Sequence, residues 1–389
     1  MHRPQRSRSR KQASERIRAE RVLAINEDTE FEVVWEMDQG PNGLLRYLLR
    51  SRTAPGPGDM LEVDVLPPEA PPSARKRLEE EVQLASRLIH PAIARLHGLY
   101  EDAGTAFLLK EHVEGCNLDT VISLGALRGK KMSEAFSLYV VQAVAGALHF
   151  AHCLEDAEGR PLGLLHRSVN PGCIRVGFDG QVKLTDFASA YSLLPARLKT
   201  PKGLFRGDIE YAAPERLLAR GTDRVGVWSD VFSLGVVLLE LLTLRSLYGL
   251  DEVEKAAFQS RRKLQVRAAK RKELPSWAPF EQMAAFAAAY RPEHVETAMR
   301  MRQVSAPVRA IVHKALCREP TERYATAALL QADVQACLRA LGDRPHDAKE
   351  AARELRVARE EAEASPRREQ AGLLEWGIFA EDVLRRSCS

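Results

Sequence analysis

The sequence predicts an α+β fold in which a small antiparallel sheet with one main helix precedes a larger, mostly helical region. Three observations carry this. Between Glu30 and Asp64, β-prone runs alternate with turn-forming Gly, Pro and Asn. A Pro-rich stretch then opens a single amphipathic helical period. Beyond Glu114-Gly115-Cys116-Asn117, apolar residues recur at three- and four-residue steps.

In chain order, FEVVWEM, LLRYLLRSRT and MLEVDVL are expected as strands, separated by DQGPNG and APGPGD. PPEAPPS leads into a helix, ARKRLEEEVQLASRLI, with Leu78, Val82, Ala85 and Ile89 on its apolar face. Residues Ile93 to Tyr100 and Ala106 to His112 complete the sheet. Helices are expected at Leu118 to Leu124 and Ser133 to Cys153, and Asp179-Gly180 marks a hairpin between two short strands. DVFSLGVVLLELLT (230–243) is apolar enough to be a buried helix. The stretch DAKEAARELRVAREEAEASPRREQ is charged on nearly all faces and is expected as a solvated helix or as disorder.

The chain has 389 residues, 45% hydrophobic and 28% charged, which excludes small stapled, collagen-like and wholly disordered classes. Its six cysteines form no CxxC pair or Cys/His cluster, so neither a disulfide framework nor a zinc module is expected. A net charge of +4 is too diffuse for nucleic acid. No run of about 18 apolar residues occurs, so no membrane span is expected and the location expected is cytoplasmic. Four regions follow: a basic tail (1–29), a sheet region (30–113), a helical region (114–342) with a basic insertion near 250–300, and a charged tail (343–389). The insertion holds RRKLQVRAAKRK (261–272), either a solvated face or a docking site for an acidic partner. The amphipathic LLEWGIFAEDVL near the end is expected to dock on its own chain or on a partner.

The strings LLHRSVNPGCIRV, VKLTDFASA, GDIEYAAPERL, SDVFSLGVVLLELLT and VHKALCREPTERYATA stand in the order and spacing of the C-lobe of bacterial serine/threonine protein kinases. The resemblance covers roughly residues 30 to 340. It implies a two-lobed protein-kinase-like fold: a β-rich N-lobe with one helix and a mostly helical C-lobe. In that family ATP is held with bridging metal, a third-strand lysine pairs with a helix glutamate, and a catalytic-loop aspartate accepts the substrate proton.

Here the pattern departs at each chemical position. The glycine loop is DQGPNG, where Gly40 and Gly43 remain as vestiges of a nucleotide cleft. The third strand places Asp64 where the family has lysine and Glu62 where it has the small residue that packs on adenine. In the catalytic loop, Ser168 replaces the base, Asn170 the phosphate-contacting lysine and Cys173 the metal-binding asparagine. A serine hydroxyl cannot accept a proton near pH 7, and a neutral thiol is a poor ligand for Mg²⁺. Asp186 survives as a vestigial metal residue, in Asp186-Phe187-Ala188. Glu81 either aligns with the helix glutamate or faces solvent in its EEE run. Lys110 takes a usually apolar position beside the adenine pocket and is the only nearby basic side chain that the alignment offers. It either pairs with Glu81, Asp64 or Asp186, or the alignment is shifted there by one residue, or it snorkels to the edge.

Positions that hold the family's fold are kept. The resemblance assigns Glu215 and Arg323 to a buried ion pair, Asp230 to the amides of the catalytic loop, and His166 and Phe187 to the apolar stack. The reading is therefore a degenerate member, a pseudokinase that binds other proteins, such as an active kinase or signalling protein, or regulates them allosterically. No cofactor is expected. The alternative is an active serine/threonine kinase with displaced catalytic groups, using ATP and Mg²⁺; a second enzyme rival transfers another part of the nucleotide.

Overall fold

The computed structural model describes residues 22–26, 29–37, 44–52, 60–102, 104–193, 205–218, 225–250, 253, 279–342 and 346–366. They fall into two compact units: one reaches to Glu114 and includes Thr185–Ala188, and the other begins at Gly115. Both β and α content match the expected α+β class, with the sheet in the first unit and ten α-helices among the described residues, nine of them in the second.

The first unit is built on a six-stranded sheet in the order β1-β2-β3-β4-β6-β5. The strands are β1 (Val22–Asn26), β2 (Thr29–Met37), β3 (Leu45–Ser51), β4 (Met60–Leu66), β5 (Leu96–Asp102) and β6 (Thr105–Glu111). Every pairing is antiparallel. β1 falls inside the stretch 1–29 read as a tail, and that boundary is corrected: pairing with β2 gives VLAIN its ladder partners. Edge strands β1 and β5 approach each other, so the sheet curls on itself.

Strand alternation divides the sheet into two faces. Tyr47, Leu49, Val63, Val65, Phe107 and Leu109 point one way and, with Phe31, form a buried core. Leu66, Ala106 and Leu108 point the other way, onto Leu78 of α1 (Pro72–Ala85). Arg46, Glu62, Asp64 and Lys110 share this helix-facing side by their even numbering. α1 starts with a proline, whose missing N–H costs nothing at a helix start. It ends at Ala85, so Ile89, expected on its apolar face, lies beyond the helix and is exposed, and Leu88 is buried instead.

In the second unit a three-stranded sheet, β7 (Gly115–Asn117), β8 (Ile174–Gly177) and β9 (Val182–Leu184), accompanies the helices. These are α2 (Leu118–Arg128), α3 (Glu134–His152), α4 (Pro214–Leu218), α5 (Val227–Thr243), α6 (Pro279–Ala289), α7 (His294–Met301), α8 (Ala306–Ala315), α9 (Ala327–Ala340) and α10 (Ala348–Glu363). α5 is buried nearly all round, as its composition requires. By length and composition α3 could cross a membrane; here its Phe136, Leu138, Val141 and Leu148 are core.

α10 is helical but not solvated on all sides. Ala351, Leu355, Ala358 and Ala362, at helical spacing, bury one stripe on the unit, with α2 and α3 as neighbours. The β8–β9 turn makes room for it. Gly180 has φ +84°, and a Cβ there would come within 1.7 Å of the Ala348 carbonyl oxygen, so only glycine fits.

Candidate functional site

The charged residues on the helix-facing side of the first unit form one connected cluster. Arg46 on β3 stands directly opposite Asp64 on β4, and Lys110 on β6 is opposite Glu62. Across one strand, Arg46 Nε donates to Asp64 Oδ1 at 2.6 Å and Nη2 donates to Oδ2 at 3.1 Å. From the diagonal position, within reach of a long side chain, Lys110 Nζ donates to Asp64 Oδ2 at 2.5 Å. The same ammonium lies 3.5 Å from Glu81 Oε1 and 3.6 Å from Asp186 Oδ1. Arg46 Nη2 also reaches Asp186 Oδ1 at 2.9 Å. Asp186 itself has φ +60°, a left-handed backbone that a non-glycine residue adopts at a cost of about 1 kcal/mol.

Glu62 completes the group. His112 Nδ1 is 3.1 Å from its Oε1, and Arg46 Nη1 is 3.9 Å from its Oε2. A charged side chain, 7% exposed, thus occupies the position that the resemblance gives to a small residue packing on adenine.

Two cations therefore stand among four carboxylates. This corrects the expectation that Lys110 is the only basic side chain near them: Arg46 contributes a second charge. Burial alone would raise Asp64, but Lys110 and Arg46 outweigh it and hold the carboxyl below its ordinary value. Asp186 is lowered in the same way, burial being overcome by Arg46 and then Lys110. Burial works against the charge on Lys110 too, yet Asp64, Glu81 and Asp186 raise it above the ordinary lysine value. Glu81 moves the other way. Burial raises it, Asp64 and Asp186 add to that, and Lys110 only partly offsets them. The distances give the cause: the ammonium stands 2.5 Å from Asp64 and 3.5 Å from Glu81, so it belongs first to Asp64. Of Glu81, Asp64 and Asp186, Glu81 is the one whose carboxyl is held above its ordinary value.

In the second unit the segment aligned with the catalytic loop is self-satisfied. Asn170 Oδ1 accepts from Cys173 N at 3.2 Å, and its Nδ2 donates to Ser168 O at 3.0 Å. Cys173, 4% exposed, directs its thiol at Ser168 O and Asn170 O, at 3.4 and 3.1 Å. The thiol is thus engaged with the loop's own backbone. Asp230 accepts from the amides of His166 and Arg167, both at 2.8 Å, and its other partner is His152 Nε2 at 2.9 Å. Burial would raise Asp230, but the hydrogen bond and charge of His152 keep it low. Glu215 and Arg323 meet as a two-pronged pair, Nη1 to Oε1 at 2.8 Å and Nη2 to Oε2 at 2.7 Å. His166 and Phe187 are buried.

Gly40 and Gly43, the basic run 261–272 and the terminal LLEWGIFAEDVL lie outside the described residues. Sequence reasoning missed Arg46 and the contacts His112–Glu62 and His152–Asp230. A signal for Arg46 existed: in LLRYLLRS it alternates with Tyr47 and Leu49, which places it on the face shared with Glu62 and Asp64 once β3 pairs with β4 in register.

The metal and nucleotide chemistry of the resembling family can be tested against these groups. Asp186, the one retained metal residue, shares its Oδ1 between Arg46 and Lys110 while its Oδ2 stands 3.4 Å from the Thr185 hydroxyl, and the Cys173 thiol is turned to backbone carbonyls. Among the described residues no group of three or more His, Cys, Asp or Glu is placed to hold a metal ion. A thiol at position 173 is a poor donor for hard Mg²⁺, whereas the carboxylate of Asp186 is a suitable one.

A family model described as the protein kinase domain matches residues 66–334, well over half of the chain. The chain belongs to the protein kinase family. The match begins just after the β4 residues Glu62 and Asp64, where the pattern departs, and it ends before α10. Three similar proteins are bacterial kinases. The tyrosine-protein kinase MasK of Myxococcus xanthus is 32% identical over 174 residues, 44% of this chain and 26% of its own. The serine/threonine-protein kinase PknB of Mycobacterium tuberculosis is 30% identical over 269 residues, 68% of this chain and 36% of its own. PknA of the same organism is 33% identical over 193 residues, 48% and 41% of the two chains. This chain therefore spans well under half the length of these relatives.

Proposed function

We propose that the chain is a pseudokinase: a protein-kinase domain that transfers no phosphoryl group and serves as a protein-binding or allosteric module, with an active kinase or signalling protein as partner. The observation that carries this is the saturation of its cations. In a kinase the strand lysine, though paired to one helix glutamate, still directs donors at phosphate oxygens. Here Lys110 and Arg46 are both engaged by Asp64 and Asp186. To bind phosphate, either cation would have to leave a buried carboxylate behind. Such an exchange costs several kcal/mol, against about 5 to 6 kcal/mol for the whole of a nucleotide held at a Kd near 100 μM. The cluster carries its own counter-charges, so repulsion between its carboxylates and a nucleotide is not what this reading rests on. Ser168 and Cys173 support the same reading by removing a base and a metal ligand.

One contact favours the active alternative. Lys110 lies 3.5 Å from Glu81 and so repeats a lysine–glutamate approach from another strand. Thermal-shift titration with Mg-ATP, together with labelled ATP and generic protein substrates, separates the two readings. The pseudokinase shows no shift at millimolar nucleotide and no labelling. Labelling that Asp186→Ala abolishes establishes the active enzyme.

A further inference from the structure

The turn between α2 and α3 carries chemistry that the kinase reading does not use. Its sequence, Arg128-Gly129-Lys130-Lys131-Met132-Ser133, sets three basic residues just before a serine. Ser133 is exposed and is the N-cap of α3, its Oγ accepting from Phe136 N at 3.0 Å. A carboxylate from α10 is seated on it. Glu354 accepts from Ser133 N at 2.6 Å and from Ser133 Oγ at 2.7 Å. A second acid of α10, Glu361, accepts from Arg128 Nη1 at 3.0 Å. A helix start favours an anion, and here the anion is supplied by a separate helix that lies beyond the matched kinase domain.

We propose that Ser133 is a phosphorylation site, modified by an active serine/threonine kinase that reads Arg128, Lys130 and Lys131, and that the phosphate releases α10 from the second unit. In the transfer, Ser133 Oγ attacks the γ-phosphorus of ATP. The Oγ–P bond forms, the bond from that phosphorus to the bridging oxygen breaks, and ADP leaves with the electron pair. The hydroxyl proton goes to the modifying kinase's base.

The consequence follows from which donors remain. Esterified Oγ has no hydrogen to give to Glu354, and a phosphate oxygen takes the Ser133 N–H. The group adds about two negative charges beside Glu354 and Glu350, while its own attraction is to the basic turn. Glu354 loses both donors and gains a repulsive neighbour. The contacts that remain on α10 include its apolar stripe, the Arg128–Glu361 pair, the Arg359 guanidinium 4.7 Å over the Phe178 ring and the bond from Ser365 Oγ to Leu127 O at 2.9 Å. The proposal concerns a modification received by the chain and stands whether or not the chain is itself active.

The test uses the full chain, ATP and a purified serine/threonine kinase selective for basic residues before the acceptor, with a peptide of residues 124–138 as the control for motif recognition. Mass spectrometry is expected to place phosphate on Ser133, and amide exchange over 348–363 to quicken about tenfold or more while α9 stays as it was. Ser133→Asp and Ser133→Asn form a second arm. Both cap a helix well, and only the first is charged, so only the first should loosen α10. Absence of phosphate on Ser133, with the peptide modified or not, overturns the site. Phosphate without faster exchange in α10, or equal exchange in the Asp and Asn variants, overturns the release.

Discussion

Lys110 and Asp64 form an ion pair between neighbouring antiparallel strands, Nζ to Oδ2 at 2.5 Å, with the Asp64 side chain 1% exposed. In the kinase pattern the strand position of Asp64 belongs to a lysine. The charge has been inverted there, and its counter-charge now comes from β6 and β3.

Replacing Lys110 with methionine should therefore destabilise the fold near pH 7. Removing one partner of a buried pair costs roughly 3 to 5 kcal/mol; Arg46 remains on Asp64, so the low end of that range is expected. The pH dependence has a definite sign. Asp64 is held below its ordinary value, so its contribution is present above the unfolded value near 3.9 and is lost as pH falls through the lower folded value. Lys110 is raised, so its contribution is complete below about pH 10 and fades only above that. The penalty for Lys110→Met should thus stay level from about pH 7 to 9, begin to shrink as Glu81, held above its ordinary value, takes up its proton, and shrink further below about pH 4 as Asp64 follows. Urea denaturation across that range measures it. A penalty within about 0.5 kcal/mol, independent of pH, would describe a solvent-facing lysine instead.

Restoring the family's charge at position 64 is the complementary experiment. Asp64→Lys places a third cation beside Arg46 and Lys110 and leaves Asp186 and Glu81 as the nearest acids. At an effective dielectric near 20, each like-charge contact at 4 Å costs about 4 kcal/mol, so the single variant is expected to be strongly destabilised. Adding Lys110→Met removes one of the two new repulsions. The double variant should be more stable than the sum of the two single changes by about 1 to 3 kcal/mol. Additive effects in a denaturation cycle would mean that the two positions do not interact.

How much of this was legible in the sequence varied with the range of the signal. The order of strands and helices followed from periodicity, because alternation and helical spacing are local. Asp64, Ser168 and Cys173 stood out because each breaks a motif written in consecutive residues. Arg46 did not. It matches no motif position, and its meaning appears only when β3 is set against β4 in register, which depends on the residues joining them. Glu354 on Ser133 is more remote still, 221 residues apart, and α10 looked solvated because four alanine- and leucine-sized contacts are enough to seat a helix whose other faces are charged.

Glu215 and Arg323 supply the strongest structural prediction in the second unit. They lie 108 residues apart, and their fork-to-fork geometry joins α4 to the segment before α9. Arg323 has no exposed side-chain surface and Glu215 has 8%. The guanidinium also donates to the carbonyls of Cys317, Arg318 and Trp228, at 2.7, 2.8 and 3.2 Å. Arg323→Ala therefore strands a buried carboxylate and three backbone acceptors, and a loss of about 3 to 5 kcal/mol is expected. At roughly 2 to 4 °C per kcal/mol for a body of this size, the Tm should fall by about 10 °C. Arg323→Lys keeps the charge but not the planar fork, so it should recover only part of that loss. As a control, Arg52→Ala breaks an exposed pair with Glu30, 3.5 Å long and more than half exposed on each side, and should move stability by no more than about 0.5 kcal/mol. Calorimetry on the three variants gives the ranking. A Tm for Arg323→Ala within a degree or two of the parent would show that the segment before α9 and α4 hold together without this pair.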